Sequence, residues 1–176
     1  MSESLENFTN IVKEDIKEAK TLFFSEAFKE EYLKDRREEK ELYHQLLLGR
    51  NRNQILEEFL LSSGQKKPVL LSAAKTIYQA TIMNLDEPLE IKVKREGWGY
   101  LVGRIKSDGT FLSLHKNTFQ AEDFEDGTLT IYADMKTIPK DGDIDHLIIQ
   151  TVYQTLQIEV CLLYTSDAAD DFIGVD

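Results

Sequence analysis

The chain has 176 residues, 41% of them hydrophobic, and a formal net charge of −11. This length bounds it to one domain, or one domain with an appendage, and no run of about 18 apolar residues is present to span a membrane. The acidic balance argues against a nucleic-acid partner: phosphate contacts need clustered Lys and Arg, and Arg50, Arg52, Lys66 and Lys67 make too thin a group.

The first segment, MSESLENFTNIVKEDIKEAK, carries acids early and lacks the basic start and apolar centre of a secretory leader, so a cytoplasmic location is expected. Residues 1–64 read as a helical arm. Phe8, Val12, Ala19, Phe23 and Ala27 recur near helical spacing, with Glu and Lys between them. Ser4 and Asn7 are candidate N-caps, and neither proline nor glycine interrupts the pattern before Gly49. A second amphipathic helix is predicted over Asn53–Ser62. The arm is too short to make a large core alone, which leaves Phe24, Phe28 and Leu46–Leu48 as an apolar contact patch.

At Pro68 the period changes from about 3.6 to 2. Strands are predicted at Val69–Ser72, Thr76–Met83, Leu89–Lys94, Tyr100–Lys106, Phe111–His115, Thr128–Asp134, Asp145–Val152 and Thr155–Val160. Turn residues separate them, notably Asp86-Glu87-Pro88, Ser107-Asp108-Gly109, Glu125-Asp126-Gly127 and Lys140-Asp141-Gly142. Residues 65–160 therefore read as an all-β, immunoglobulin-like antiparallel sandwich, giving an α+β chain overall. Leu70, Ile77, Ile91, Val93, Trp98, Leu101, Ile105, Leu129, Leu147 and Ile158 are among the residues predicted to point inward. Trp98, between Gly97 and Gly99, has two readings: a core anchor, or a surface platform for stacking on a sugar or a peptide.

The last stretch, CLLYTSDAADDFIGVD, resembles the in-frame translation of a sequencing adapter. That resemblance implies that residues 161–176 form a non-native, disordered tail, that Cys161 is not a natural residue, and that the natural chain continues past Val160.

Motifs for chemistry are thin. Asp141, Asp143 and Asp145 give D-x-D-x-D, but a calcium loop needs glycine at its sixth position and an acid at its twelfth, where His146 and Val152 stand. Glu122, Asp123, Glu125 and Asp126 read as a solvated turn. His44, His115 and His146 have no Cys or His at ligand spacing. No nucleophile elbow and no phosphate-binding glycine loop is present, so neither catalytic residues, metal nor cofactor is predicted.

The order LEIKVKREGWGYLVGRIKSDGTFLSLHKNTF, then LTIYADMKTIPKDGDIDHLIIQTVYQTLQIEV, resembles the immunoglobulin-like repeats of bacterial proteins. More narrowly, LLLGRNRNQILEEFLLSSGQKKP, REGWGY and IIQTVYQTL resemble the N-terminal region of an uncharacterised family of long proteins from anaerobic Gram-positive bacteria, known as a domain of unknown function. This resemblance covers residues 43–160 and implies an immunoglobulin-like module without catalytic residues. The sequence thus points to a non-enzymatic interaction or structural module whose partners are other regions of the full-length protein or another protein. Its possible binding surface is Trp98, Tyr100, Tyr132, Phe24 and Phe28. The alternatives are a carbohydrate-binding sandwich using Trp98, Tyr100 and Tyr132, or an accessory domain of an enzyme.

Overall fold

A computed structural model describes residues 4–81, 87–109, 111–135 and 142–163. The predicted turns at Asp86 and Lys140-Asp141, and residues 164–176 of the expected tail, lie outside the described residues. The chain divides into two compact units, Met1–Pro68 with Gly97–Tyr100, and Val69–Glu96 with Leu101–Asp176.

The first unit is helical. Its helices are α1 (Leu5–Glu14), α2 (Ile16–Phe23), α3 (Glu26–Tyr32), α4 (Arg37–Leu46) and α5 (Arg52–Ser62). The absence of proline and glycine predicted a nearly unbroken helix up to Gly49, and the structure corrects this. Side chains set several of the boundaries. Ser4, Asp15 and Asn51 each accept the backbone N–H three residues on, at 3.0, 3.1 and 3.0 Å, starting α1, α2 and α5. The aromatic side chains supply the reason to fold back. At 1.5 Å per residue, one straight helix would hold Phe23 and Tyr43 about 30 Å apart. Their ring centroids are instead 4.9 Å apart, and Phe23 is also 4.9 Å from Phe28 and 5.2 Å from Phe59. Such offset and edge contacts add to the gain from area burial. The arm therefore holds a core of its own, built on Phe8, Phe23, Phe28, Tyr43 and Phe59. The Tyr43 hydroxyl donates to the Phe23 carbonyl. Burial, and secondarily the Glu26 carboxylate, pushes the Tyr43 phenol above its ordinary range.

The second unit is a sandwich of two sheets. Its strands are β1 (Leu70–Ala73), β2 (Ile77–Thr81), β3 (Leu89–Glu96), β4 (Val102–Ser107), β5 (Leu112–Leu114), β6 (Thr118–Gln120), β7 (Thr128–Met135), β8 (Ile144–Gln150) and β9 (Thr155–Leu163). One sheet runs β1-β3-β7-β5 and the other β2-β9-β8-β4-β6. The first order, with β9-β8-β4 of the second, gives the two sheets of an immunoglobulin-like fold. Alternation in β3 sends Ile91 and Val93 inward, where they meet Leu129 and Ile131 of the same sheet and Leu147, Ile149 and Ile158 of the other.

Several expectations from the sequence are corrected. The sandwich is not wholly antiparallel: β2 runs parallel to β9, with Ile77 opposite Glu159. Tyr100 lies outside β4, and β6 was not predicted. The expected tail begins inside β9, with Cys161–Leu163 in the strand and Leu162 fully buried. In β1 and β2 the inward phase is the opposite of that expected: Leu71 is buried while Leu70 is exposed, and Tyr78 packs on the core while Ile77 is 54% exposed. Adjacent large apolar residues leave that phase open, and a one-residue step exchanges the faces.

Strand β1 is bound on its outer side by a side chain. The Leu71 N–H donates to Gln154 Oε1, and Gln154 Nε2 donates to the Leu71 carbonyl, both at 2.7 Å. The carboxamide stands in for a neighbouring strand.

Ile91→Ala should cost about 2–5 kcal/mol in urea unfolding, as for other fully buried aliphatic truncations. Gln154→Ala leaves the Leu71 N–H and carbonyl without this partner and should cost about 1–3 kcal/mol in the same assay. Because the folded-state pKa of Tyr43 is raised, its contribution is complete below the unfolded value of about 10 and is lost as pH rises above it. The stability difference between wild type and Tyr43→Phe should therefore shrink above about pH 10 in pH-resolved unfolding.

Candidate functional site

The segment Gly97-Trp98-Gly99 joins β3 to β4 in sequence yet belongs to the helical unit. Gly97 and Gly99 have φ of 104° and 99°, backbone that L side chains rarely adopt. A Cβ on Gly99 would come within 2.7 Å of Lys66 Nζ and would push the ammonium off its partners.

Trp98 is half-buried and packs on the helical core, which corrects its predicted place inside the sandwich. Lys66 Nζ lies 4.4 Å from its ring centroid and Lys13 Nζ lies 5.0 Å away. Lys66 also donates to the Trp98 carbonyl at 2.5 Å and pairs with Glu57 Oε2 at 2.6 Å. The Lys66 and Glu57 side chains are 1% and 3% exposed, so this is a buried ion pair. Removing one member of such a pair strands the other charge, at a cost of about 3–5 kcal/mol. Chemically the cluster holds a loop in place, and the tryptophan ring already carries ammonium groups where a stacking ligand would sit.

The remaining predicted surface residues separate. Tyr100 receives a hydrogen bond from Asn51 Nδ2 at 3.3 Å, and Phe24 has the Arg52 guanidinium over its ring at 4.0 Å. Phe28 is fully buried, which corrects its predicted role as a surface contact: its ring is needed by Phe8, Phe23 and Tyr32. Tyr132 belongs to the sandwich, is 41% exposed, and stacks on His115 at 5.9 Å. His115 Nε2 lies 2.8 Å from Asp134 Oδ2 in an exposed pair.

Within the sandwich, Asp145 is fully buried. Its carboxylate accepts from Ser107 Oγ at 2.6 Å, from the Gly109 N–H at 2.8 Å and from the Leu112 N–H at 3.3 Å. A carboxylate ringed by donors is a turn anchor, and its oxygens are committed to the chain from β4 to β5. A Cβ on Gly109 would fall 2.4 Å from Asp145 Cγ. Among the described residues no group of three His, Cys, Asp or Glu could hold a metal.

A groove of about 690 Å³ follows β4 and β6, lined by Arg104, Lys116, Gln120, Asp123 and Gln150. Asp123 accepts the Gln120 N–H at 2.8 Å and pairs with Lys116 at 3.1 Å, and these contacts hold its carboxyl below the usual range. His146 lies between Asp108 at 3.3 Å and Glu159 at 3.8 Å.

The motifs did not assign the roles that Asp145, Glu57, Lys66 and Gln154 have here. Two of them were signalled in sequence. Asp145 shares strand parity with the inward Leu147 and Ile149, and Glu57 sits among Ile55, Leu56, Phe59 and Leu60 on a helix. Gln154 carried no such signal, because its partner is backbone 83 residues away.

Among solved structures, the chain is similar to the E. coli chaperone DraB, with 7% identity and a TM-score of 0.45, covering 55% of this chain and 56% of DraB. It is also similar to the Calx CBD1 domain, with 12% identity and a TM-score of 0.40, covering 55% of this chain and 97% of that one. The M1 domain of titin gives 8% identity and a TM-score of 0.33, covering 55% and 95% of the two chains. None of the curated proteins matches the sequence. The match to a family model is far more extensive, running over residues 2–171, and on it the chain belongs to the N-terminal family of DUF5717, a family of unknown function.

Proposed function

We propose that this chain is a non-enzymatic interaction module at the front of a longer cytosolic bacterial protein, binding other regions of that protein. The observation that carries this reading is how the buried polar groups are used. Among the described residues these are Thr9, Glu57 and Asp145. Thr9 donates to the Leu5 carbonyl at 2.8 Å, Glu57 holds Lys66, and Asp145 holds the chain between β4 and β5. Each is spent on architecture, whereas a catalytic acid or base must be free to exchange its proton with a substrate.

The helical unit also presents apolar side chains to water: Leu47 at the end of α4, and Leu48 beside it, which is 85% exposed. The family's description as N-terminal supports a longer protein.

The test is calorimetric titration of this chain with the rest of the full-length protein, produced separately. Saturable binding is expected, weakened at least about tenfold by Leu48→Asp at unchanged thermal stability. An absence of binding, or affinity indifferent to Leu48→Asp, would defeat the reading.

A further inference from the structure

A sheet edge exposes every second backbone N–H and carbonyl, and a strand that leaves them open is a template for another strand. Among the described residues there are four edge strands, and in three of them, β1, β5 and β6, a side chain covers such a group. On β1 the Leu71 N–H and carbonyl are held by Gln154. On β5, His115 N–H bonds to the Tyr132 carbonyl of β7, so Leu112 and Leu114 face outward, and Asp145 takes the Leu112 N–H. On β6, the Asn117 carbonyl accepts from Ile105 of β4, so Thr118 and Gln120 face outward, and Asp123 takes the Gln120 N–H.

Strand β2 is different. Glu159 N–H bonds to the Thr76 carbonyl, which turns the polar backbone groups of residues 76, 78 and 80 toward β9 and those of Ile77, Gln79 and Thr81 outward. Among the described residues no side chain covers these outward groups. The strand, Ile77-Tyr78-Gln79-Ala80-Thr81, contains no proline, no glycine and no charge. On the outer face of this sheet, Ile77 of β2 and Ile144 of β8, two strands in, are 54% and 49% exposed.

We infer that β2 is a strand-addition edge and that its occupant is the β2 of a second copy of this chain. The strand's own composition and register suit that occupant. The net charge of −11 on each copy opposes association, but β2 carries no charged residue, so two copies meet along it without facing like charges. An antiparallel seam about Gln79 places Gln79 opposite Gln79 and Ile77 opposite Thr81. All three facing pairs are then hydrogen-bonded ones, each exchanging two backbone bonds, and the contact is isologous. A strongly charged partner strand would find no complement on β2. This inference extends the reading of the chain as an interaction module, through a surface separate from Leu47 and Leu48.

The test is sedimentation equilibrium of the full chain across micromolar to millimolar concentration. The average mass should rise from one chain toward two. Gln79→Pro removes one outward N–H without touching the β2–β9 ladder, and should weaken association at least about tenfold, while Gln79→Ala retains it. If Gln79→Pro fails to fold, amide exchange of the wild type decides. The amides of Ile77, Gln79 and Thr81 should exchange more slowly as protein concentration rises, and those of Tyr78 and Ala80 should not change. A chain monomeric throughout, an association indifferent to Gln79→Pro, or concentration-dependent protection elsewhere would overturn the inference. A monomer that still binds the rest of the full-length protein would overturn it while leaving the interaction-module reading intact.

Discussion

A strand that stops or lies at an edge leaves backbone donors and acceptors without a ladder, and each one left dry and unpaired costs as much as several good contacts gain. This sandwich meets that constraint with side chains placed far off in sequence. Gln154 replaces the missing neighbour of β1 with one carboxamide. Asp145 gathers the Gly109 and Leu112 N–H groups where the chain passes from β4 to β5. The Tyr78 hydroxyl accepts the Lys92 N–H at 3.1 Å, close to where β1 has ended and Ala74 has bonded to the Lys92 carbonyl. Each of these groups is polar and partly or wholly removed from water. Their positions are therefore fixed by hydrogen-bond geometry rather than by the non-directional preference for burial.

The helical unit solves a different problem. Five short helices cannot be stable individually, since helix nucleation is costly and a run of seven to eleven residues gains little from propensity alone. What holds them is the group of rings around Phe23, which reaches residues from α1 to α5. A phenyl ring buries a large area with few rotatable bonds, so a small unit can build a core from a handful of them. The same economy explains why Phe28 cannot also be a surface contact: it has ring neighbours at Phe8, Phe23, Tyr32, Tyr43 and Phe59.

Much of this was legible in sequence wherever one periodicity ran cleanly. Strand β3 alternates without exception from Leu89 to Lys94, and Ile91 and Val93 are fully buried. The two sheets and the helix-to-strand change at Pro68 follow from the same signal. It failed where two apolar residues stand together, as in Leu70-Leu71 and Ile77-Tyr78, because period two then fits either face. It also failed for helix ends, which capping side chains and ring packing decide together, while the absence of glycine argues only that a helix could continue. The parallel β2–β9 pair could not be read at all, since strand direction depends on the path between elements and not on the residues within them. Among candidate site residues the D-x-D-x-D pattern drew attention to the right segment for the wrong reason. Asp145 is inward by parity with Leu147, and its carboxylate accepts the Ser107 hydroxyl and two backbone N–H groups, which makes it an anchor for the chain around it.

The buried Lys66–Glu57 pair shows why a charged group is retained inside an otherwise aromatic unit. Such a pair is weak evidence for stability, because removing two charges from water offsets most of their attraction. An apolar pair of the same size would fill the space without preferring one neighbour over another. Lys66 does prefer: one proton goes to the Glu57 carboxylate, another to the Trp98 carbonyl, and the ammonium charge rests over the Trp98 ring. These contacts converge on a four-residue segment whose two glycines make its backbone permissive. A permissive loop needs directional contacts to hold one conformation, and a lysine with its partners fixed supplies them. That is why the tryptophan here serves as a receptor for cations from its own chain.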